Sequence, residues 1–207
     1  LRSALSLNYV YDSRDSNRLP RRGHKVDLGL IYAGGLLAGD VDTITFTGSG
    51  TKHWSLPFDT ILTARGSFAV VDSHGGDDNL PIFERQFLGG ARDLRGFQFR
   101  DIGPRDATGP NATQEVLGGA TSVFGSLEFT FPVIGQVRGA VFYDAGFVNS
   151  DSWDFNTGRL ASDVGIGVRL NLPGIGPLAV DFAVPVETPD DQADDGSQIQ
   201  FYMDYQF

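Results

Sequence analysis

Apolar and polar residues alternate with a period of two through most of this chain, and the alternating runs are long. The cleanest covers 160–172. Leu160, Val164, Ile166, Val168, Leu170 and Leu172 fall on one side, and Ala161, Asp163, Gly165, Gly167, Arg169 and Asn171 on the other. A strand sends successive side chains to opposite faces, whereas a helix groups residues three and four apart, so this pattern specifies β-structure. The same split recurs over 176–185, where Leu178, Val180, Phe182 and Val184 oppose Ala179, Asp181 and Ala183. Over 119–132, Val123, Leu127, Phe129 and Phe131 oppose Ser122, Ser126, Glu128 and Thr130. Over 136–149, Val137, Val141, Tyr143 and Phe147 oppose Gln136, Arg138, Asp144 and Gly146. The chain closes with Ile199, Phe201, Met203, Tyr205 and Phe207 against Gln198, Gln200, Asp204 and Gln206. The N-terminal part is noisier. Leu5, Leu7, Tyr9 and Tyr11 form one row and Val26, Leu28, Leu30 and Tyr32 another. Strands are expected near 41–56 and 59–72, the latter with Leu62, Ala64, Phe68 and Val70 on its apolar face. No stretch carries helical spacing. The reading is all-β, with about eight or nine antiparallel strands.

Runs of about 10 to 13 residues exceed the five or six usual in soluble sandwiches and match the span of a tilted bilayer-crossing strand. Short Pro/Gly turns at 18–23, 132–135 and 173–176 alternate with longer polar stretches at 73–118, 150–159 and 187–197. Tight turns on one rim and long loops on the other are the habit of outer-membrane barrels. Tyr9, Tyr11, Tyr32, Trp54, Phe129, Phe131 and Phe207 sit near strand ends, where an interfacial girdle would lie. The apolar faces are therefore expected to meet lipid and the polar faces a wet lumen. The inverse, a soluble barrel with an apolar interior, is the alternative that the same periodicity permits.

Composition narrows the chemistry. There is no Cys, which removes disulfides, thiol catalysis and thiolate zinc sites. A net charge of −10 argues against nucleic-acid binding. Lys25 and Lys52 are the only lysines and Asp far outnumbers Glu, a bias toward turns rather than helices. His24, His53 and His74 lack metal-ligand spacing, and no metal or other cofactor is expected. Asp72-Ser73-His74 has the residue types of a catalytic triad, but consecutive residues cannot take its geometry. With no nucleophile elbow or phosphate-binding loop, an enzyme is not expected. Glu187, Asp190, Asp191, Asp194 and Asp195 read as a solvated rim, with weak surface cation binding as the alternative. The first residue is Leu rather than Met, so either a targeting segment has been removed or the chain is a piece of something longer.

The longest loop contains Phe87-Leu88-Gly89-Gly90-Ala91-Arg92-Asp93-Leu94-Arg95-Gly96-Phe97 and then Ile102-Gly103-Pro104. Ser126-Leu127-Glu128-Phe129, Phe142-Tyr143-Asp144-Ala145-Gly146, and Pro173-Gly174-Ile175-Gly176-Pro177-Leu178 with Ala183-Val184-Pro185 follow in order. Upstream stand Asp12-Ser13-Arg14-Asp15, Pro20 and Gly23. This ordered set resembles the barrel of the BamA/TamA outer-membrane assembly (bacterial surface antigen) family over nearly the whole chain.

The resemblance implies a Gram-negative type outer-membrane location and a transmembrane β-barrel that looks like the C-terminal half of a sixteen-stranded one. It also implies that the loop motif Leu94, Arg95, Gly96 and Phe97 folds inward, with Arg95 meeting acids on the inner wall. By alternation Glu128 and Asp144 both fall on inward faces, where a guanidinium's planar fork suits paired carboxylates. Phe201, Met203, Tyr205 and Phe207 look like the terminal signal by which outer-membrane proteins are recognised for assembly. Any lipid-facing last strand would look similar. The whole of 1–207 is expected to be one barrel domain with an extracellular loop at 73–118 and no POTRA-like segment. Three strand arrangements remain open: a small closed barrel of eight strands, a half-barrel completed by a second copy, and a piece lacking its N-terminal half. The functions implied are insertion of outer-membrane clients by lateral strand-edge templating, a stand-alone anchor or pore, or a translocator for an absent passenger. The partners implied are the bilayer and client proteins or assembly machinery.

Overall fold

Among the described residues nine antiparallel strands follow one another in a single meander, each paired with its sequence neighbours. They are β1 (Ala4–Asp12), β2 (Gly23–Ala33), β3 (Thr43–Ser55), β4 (Ile61–Ser73), β5 (Thr121–Ile134), β6 (Val137–Asn149), β7 (Ala161–Leu172), β8 (Gly176–Glu187) and β9 (Gln198–Met203). The computed structural model describes residues 2–17, 19–39, 41–74, 80–106, 113–172, 176–190, 192 and 196–203. Among them the only helical pieces are two 3-10 turns, Gly35–Leu37 and Thr157–Arg159.

All nine expected segments are used, and β1 and β9 lie at opposite ends of the ladder without pairing to each other among the described residues. That arrangement is not the eight-stranded closure.

The alternation resolves as outward apolar and inward polar. On β5 and β7 the outward Leu127 and Ile166 are 53% and 62% exposed, while the inward Asp144 of β6 and Asp181 of β8 are fully buried. A soluble barrel would show the reverse, so the outward rows are the lipid face. Aromatic rings cover glycines along that face. A Cβ at Gly48 of β3 would come 2.3 Å from the ring of Phe68 on β4, so Phe68 lies flat across the position that glycine leaves empty.

Three departures from the expected pattern have local causes. The first connection is no tight turn: it runs from 13 to 22, with the Ser13 N–H bonded to the His24 carbonyl at 2.9 Å and the Asp15 N–H to that of Arg22 at 3.1 Å. Val70, expected on the lipid face, is fully buried. The 150–159 stretch folds back over the outer rim beside it. Trp153 packs on Phe46, the cross-strand partner of Val70, with ring centroids 5.2 Å apart. Ser152 Oγ donates to the Val71 carbonyl at 2.6 Å. The inner wall is also not uniformly wet. Phe124 and Val148 point inward and join Leu88, Leu94, Phe97, Ile102 and Ala161 in a buried apolar cluster. A loop that drops into the lumen must bury its own greasy side chains, and these inward residues receive them.

Candidate functional site

The loop between β4 and β5 is held by short bridges rather than by a ladder: Gln86 pairs with Gly119, Leu88 with Ile102 and Arg105 with Val116. Its inward turn begins at Gly89 and Gly90, whose φ values of 110° and 113° suit glycine. The Asp93 carboxylate then accepts from the Gly89 and Leu94 N–H groups, each at 2.8 Å, and fixes the bend. Burial pushes the Asp93 carboxyl above its ordinary range, against the pull of those two donors. Leu94 and Phe97 enter the apolar cluster. Arg95 between them is left to point at the wall.

Arg95 is fully buried. Its Nε donates to Asp144 Oδ2 at 2.6 Å and its Nη2 to Asp144 Oδ1 at 2.9 Å, a two-pronged contact. Nη1 donates to Glu128 Oε2 at 2.6 Å and to Asp181 Oδ2 at 3.2 Å. The face of the guanidinium lies 3.3 Å from the Phe142 ring centroid. The expected meeting of Arg95, Glu128 and Asp144 is thus found. Gly96 explains the close fit: a Cβ there would meet the Cβ of Asp163 at 2.5 Å.

Sequence reasoning missed a second cation and a third acid in the same cluster. Arg169 of β7 donates through Nη2 to Glu128 Oε2 at 2.6 Å and through Nε to Glu128 Oε1 at 3.2 Å. It also pairs with Asp181. Both residues stand on the inward rows of their strands, so their face was readable. Their adjacency was not, because it depends on the β7–β8 register, which sets Asp181 opposite Gly167. That glycine is the overlooked signal. A Cβ at Gly167 would lie 1.8 Å from Asp181 Oδ1 and 2.6 Å from Arg169 Nη1. Glu128, Asp144 and Asp181 thus hold two guanidiniums, with Asp163 buried nearby against Gly96.

Phe201 and Met203 of β9 point outward, 62% and 60% exposed, as the terminal pattern requires. Tyr205 and Phe207 lie outside the described residues. Between the outward residues, Gln200 and Tyr202 face the cluster. The histidines are spread across separate surroundings. His53 Nδ1 is bonded to Thr63 Oγ1 at 3.0 Å, His24 to Ser13, and His74 stacks on Tyr32. Asp72 accepts from the Trp153 indole rather than from His74. Glu187 and Asp190 are exposed, while Asp191, Asp194 and Asp195 lie outside the described residues.

Residues 1–207 match the family model described as the Omp85 superfamily domain. The chain belongs to the Omp85 superfamily. Among Omp85 relatives it is 28% identical over 205 residues to outer membrane protein assembly factor BamA of Nitratidesulfovibrio vulgaris, covering 97% of this chain and 25% of that protein. It is 28% identical over 211 residues to a SAM50-like protein of Drosophila melanogaster, covering all of this chain and 46% of the relative. It is 30% identical over 207 residues to the human sorting and assembly machinery component 50 homolog, covering 90% of this chain and 42% of that one. The chain therefore spans between a quarter and about half the length of these relatives. In fold it is similar to the crystal structure of BamA from Haemophilus ducreyi lacking POTRA domains 1-3. The TM-score is 0.81 at 23% identity, covering 96% of this chain and 42% of that one. Omp85 membership and the strand architecture together point to an outer membrane.

Proposed function

We propose that this Omp85 chain forms the C-terminal half of the barrel of an outer-membrane protein assembly factor and works by templating client strands on its exposed edge. The observation that carries the reading is the open sheet: among the described residues neither β1 nor β9 has a ladder partner on its outer side. In hydrocarbon each unsatisfied backbone group costs several kcal/mol, so such edges are occupied. The occupant is the remainder of the barrel, a second copy, or a client strand. A client hairpin would add by main-chain hydrogen bonds, with its own apolar row continuing that of Ile199, Phe201 and Met203 into lipid.

In this reading residues 1–207 are one barrel domain in a Gram-negative type outer membrane. The 73–118 loop lies toward the outer surface, and clients and the assembly machinery are its partners. No bond is made or broken. Leu94, Arg95, Gly96 and Phe97, locked to Glu128 and Asp144, stiffen the wall behind the edge so that the edge can open without collapse of the barrel.

The test is insertion of an unfolded outer-membrane protein into vesicles carrying the full-length protein, read as protease-resistant client over time. Single cysteines placed on β1 and β9 would report client contact by cross-linking. Faster insertion than in empty vesicles, with edge-specific cross-links and loss of both in Arg95→Ala, is expected. Insertion no faster than in empty vesicles, or cross-links spread evenly round the wall, would overturn the proposal.

A further inference from the structure

Strand β9 is tied into the molecule differently from the other strands. Among the described residues its ladder with β8 runs from Leu178 with Met203 to Ala183 with Gln198. The inward side chains of β9 supply further ties.

The Gln200 amide donates to the carbonyl oxygens of Arg95, at 3.4 Å, and Phe97, at 3.3 Å, and so straddles Gly96. Gly96 itself lies against the wall, where a Cβ would come 3.2 Å from the Pro185 nitrogen of β8. The Tyr202 hydroxyl donates to Asp181 Oδ2 at 2.9 Å. That same oxygen accepts from Arg95 and from Arg169. One residue of β9 therefore holds the backbone of the loop motif, and the next inward residue joins the carboxylate that its arginine binds.

We propose that Gln200 and Tyr202 are positioning residues that join β9 to the loop arginine, so that separation of β9 from β8 and release of the loop are one event. If β9 leaves alone, two buried loop carbonyls and one oxygen of Asp181 each lose a donor, and buried polar groups are costly to leave unmatched. If the loop leaves alone, the Gln200 amide is stranded against the wall. The coupling is a property of the fold and does not depend on assembly activity.

The chain contains no cysteine, so a reporter disulfide can be introduced cleanly. Ala183→Cys with Gln198→Cys bridges two directly opposed residues of β8 and β9. In the full-length protein in phosphatidylcholine vesicles, hydrogen exchange of the 94–97 amides is compared with this bridge oxidised and reduced. Oxidation should slow loop exchange by about tenfold, since the loop can then open only with a strand that is held. In the same protein carrying Gln200→Leu and Tyr202→Phe, oxidation should leave loop exchange unchanged. Phe201→Ala, on the lipid face of the same strand, should preserve the slowing. Equal loop exchange in the oxidised and reduced parent would overturn the proposal, and this comparison decides the matter even where the doubly substituted protein fails to fold. Undiminished slowing in the Gln200→Leu/Tyr202→Phe background would overturn it as well.

Discussion

Arg95 sits where a charge is hardest to spare. Asp144 grips it with both oxygens, Glu128 and Asp181 add a bond each, and none of the four is exposed to water. Removing one member of a buried ion pair leaves its partners charged and unmatched, at a cost of about 3–5 kcal/mol. Arg95→Ala should lower the denaturant midpoint accordingly and open the 80–106 loop to protease. Arg95→Lys should recover little, because an ammonium cannot reproduce the fork that spans Asp144. Gly167→Ala probes the same cluster without touching a charge. The added methyl would fall 1.8 Å from Asp181 Oδ1, so the Arg169–Asp181 pair must shift, with a cost of about 1–3 kcal/mol in an unfolding titration. These residues also show how far a sequence can be read at this scale. Arg95, Glu128 and Asp144 were legible because a motif and strand parity marked them. Arg169 and Asp181 were legible only as inward-facing, since their meeting is a matter of register between strands.

Elements were more legible than contacts. The alternation over 160–172, 176–185 and 119–132 returns as Ala161–Leu172, Gly176–Glu187 and Thr121–Ile134, because a half-buried strand writes its period directly into composition. Connections carry no period, so only the loop motif marked the inward turn of 94–97, and the fold-back of Trp153 onto Phe46 was hidden. One connection has a testable electrostatic role. The turn at 56–60 presents Asp59 to Arg138 near the start of β6 and to Arg21 of the 13–22 connection, tying the two connections to that strand. Hydrogen bonds from Arg138 and then Arg21 hold the Asp59 carboxyl below its ordinary value of 3.8. A carboxyl depressed by folding stabilises the fold above its unfolded value, and that contribution fades as pH falls through the folded one. The clasp should therefore be intact at neutral pH and loosen only below about pH 4. Asp59→Asn should abolish this acid-dependent step in proteolysis of the turn and leave the neutral-pH strands unchanged.

At the scale of the whole molecule, one question governs the rest: which side of the sheet meets hydrocarbon. Ile166 on β7 and Ser49 on β3 are both exposed, one on the outward row and the other on the inner wall of the open sheet. Solvent exposure alone would treat them alike. In a bilayer they differ sharply, because an arginine on the lipid face costs about 2–4 kcal/mol near the midplane, while a lumen position stays in water. Ile166→Arg should thus destabilise the protein folded in lipid vesicles by that order, and Ser49→Arg should leave its unfolding midpoint nearly unchanged. The inverse architecture predicts the opposite, since an outward arginine would then be a harmless surface charge. The pair of substitutions is informative because it does not pass through the Arg95 cluster, and so it tests the membrane reading independently of the loop. Tolerance of Ile166→Arg in lipid would remove the reason for placing the edges of β1 and β9 in hydrocarbon. Without that placement, nothing would require either edge to find a partner strand.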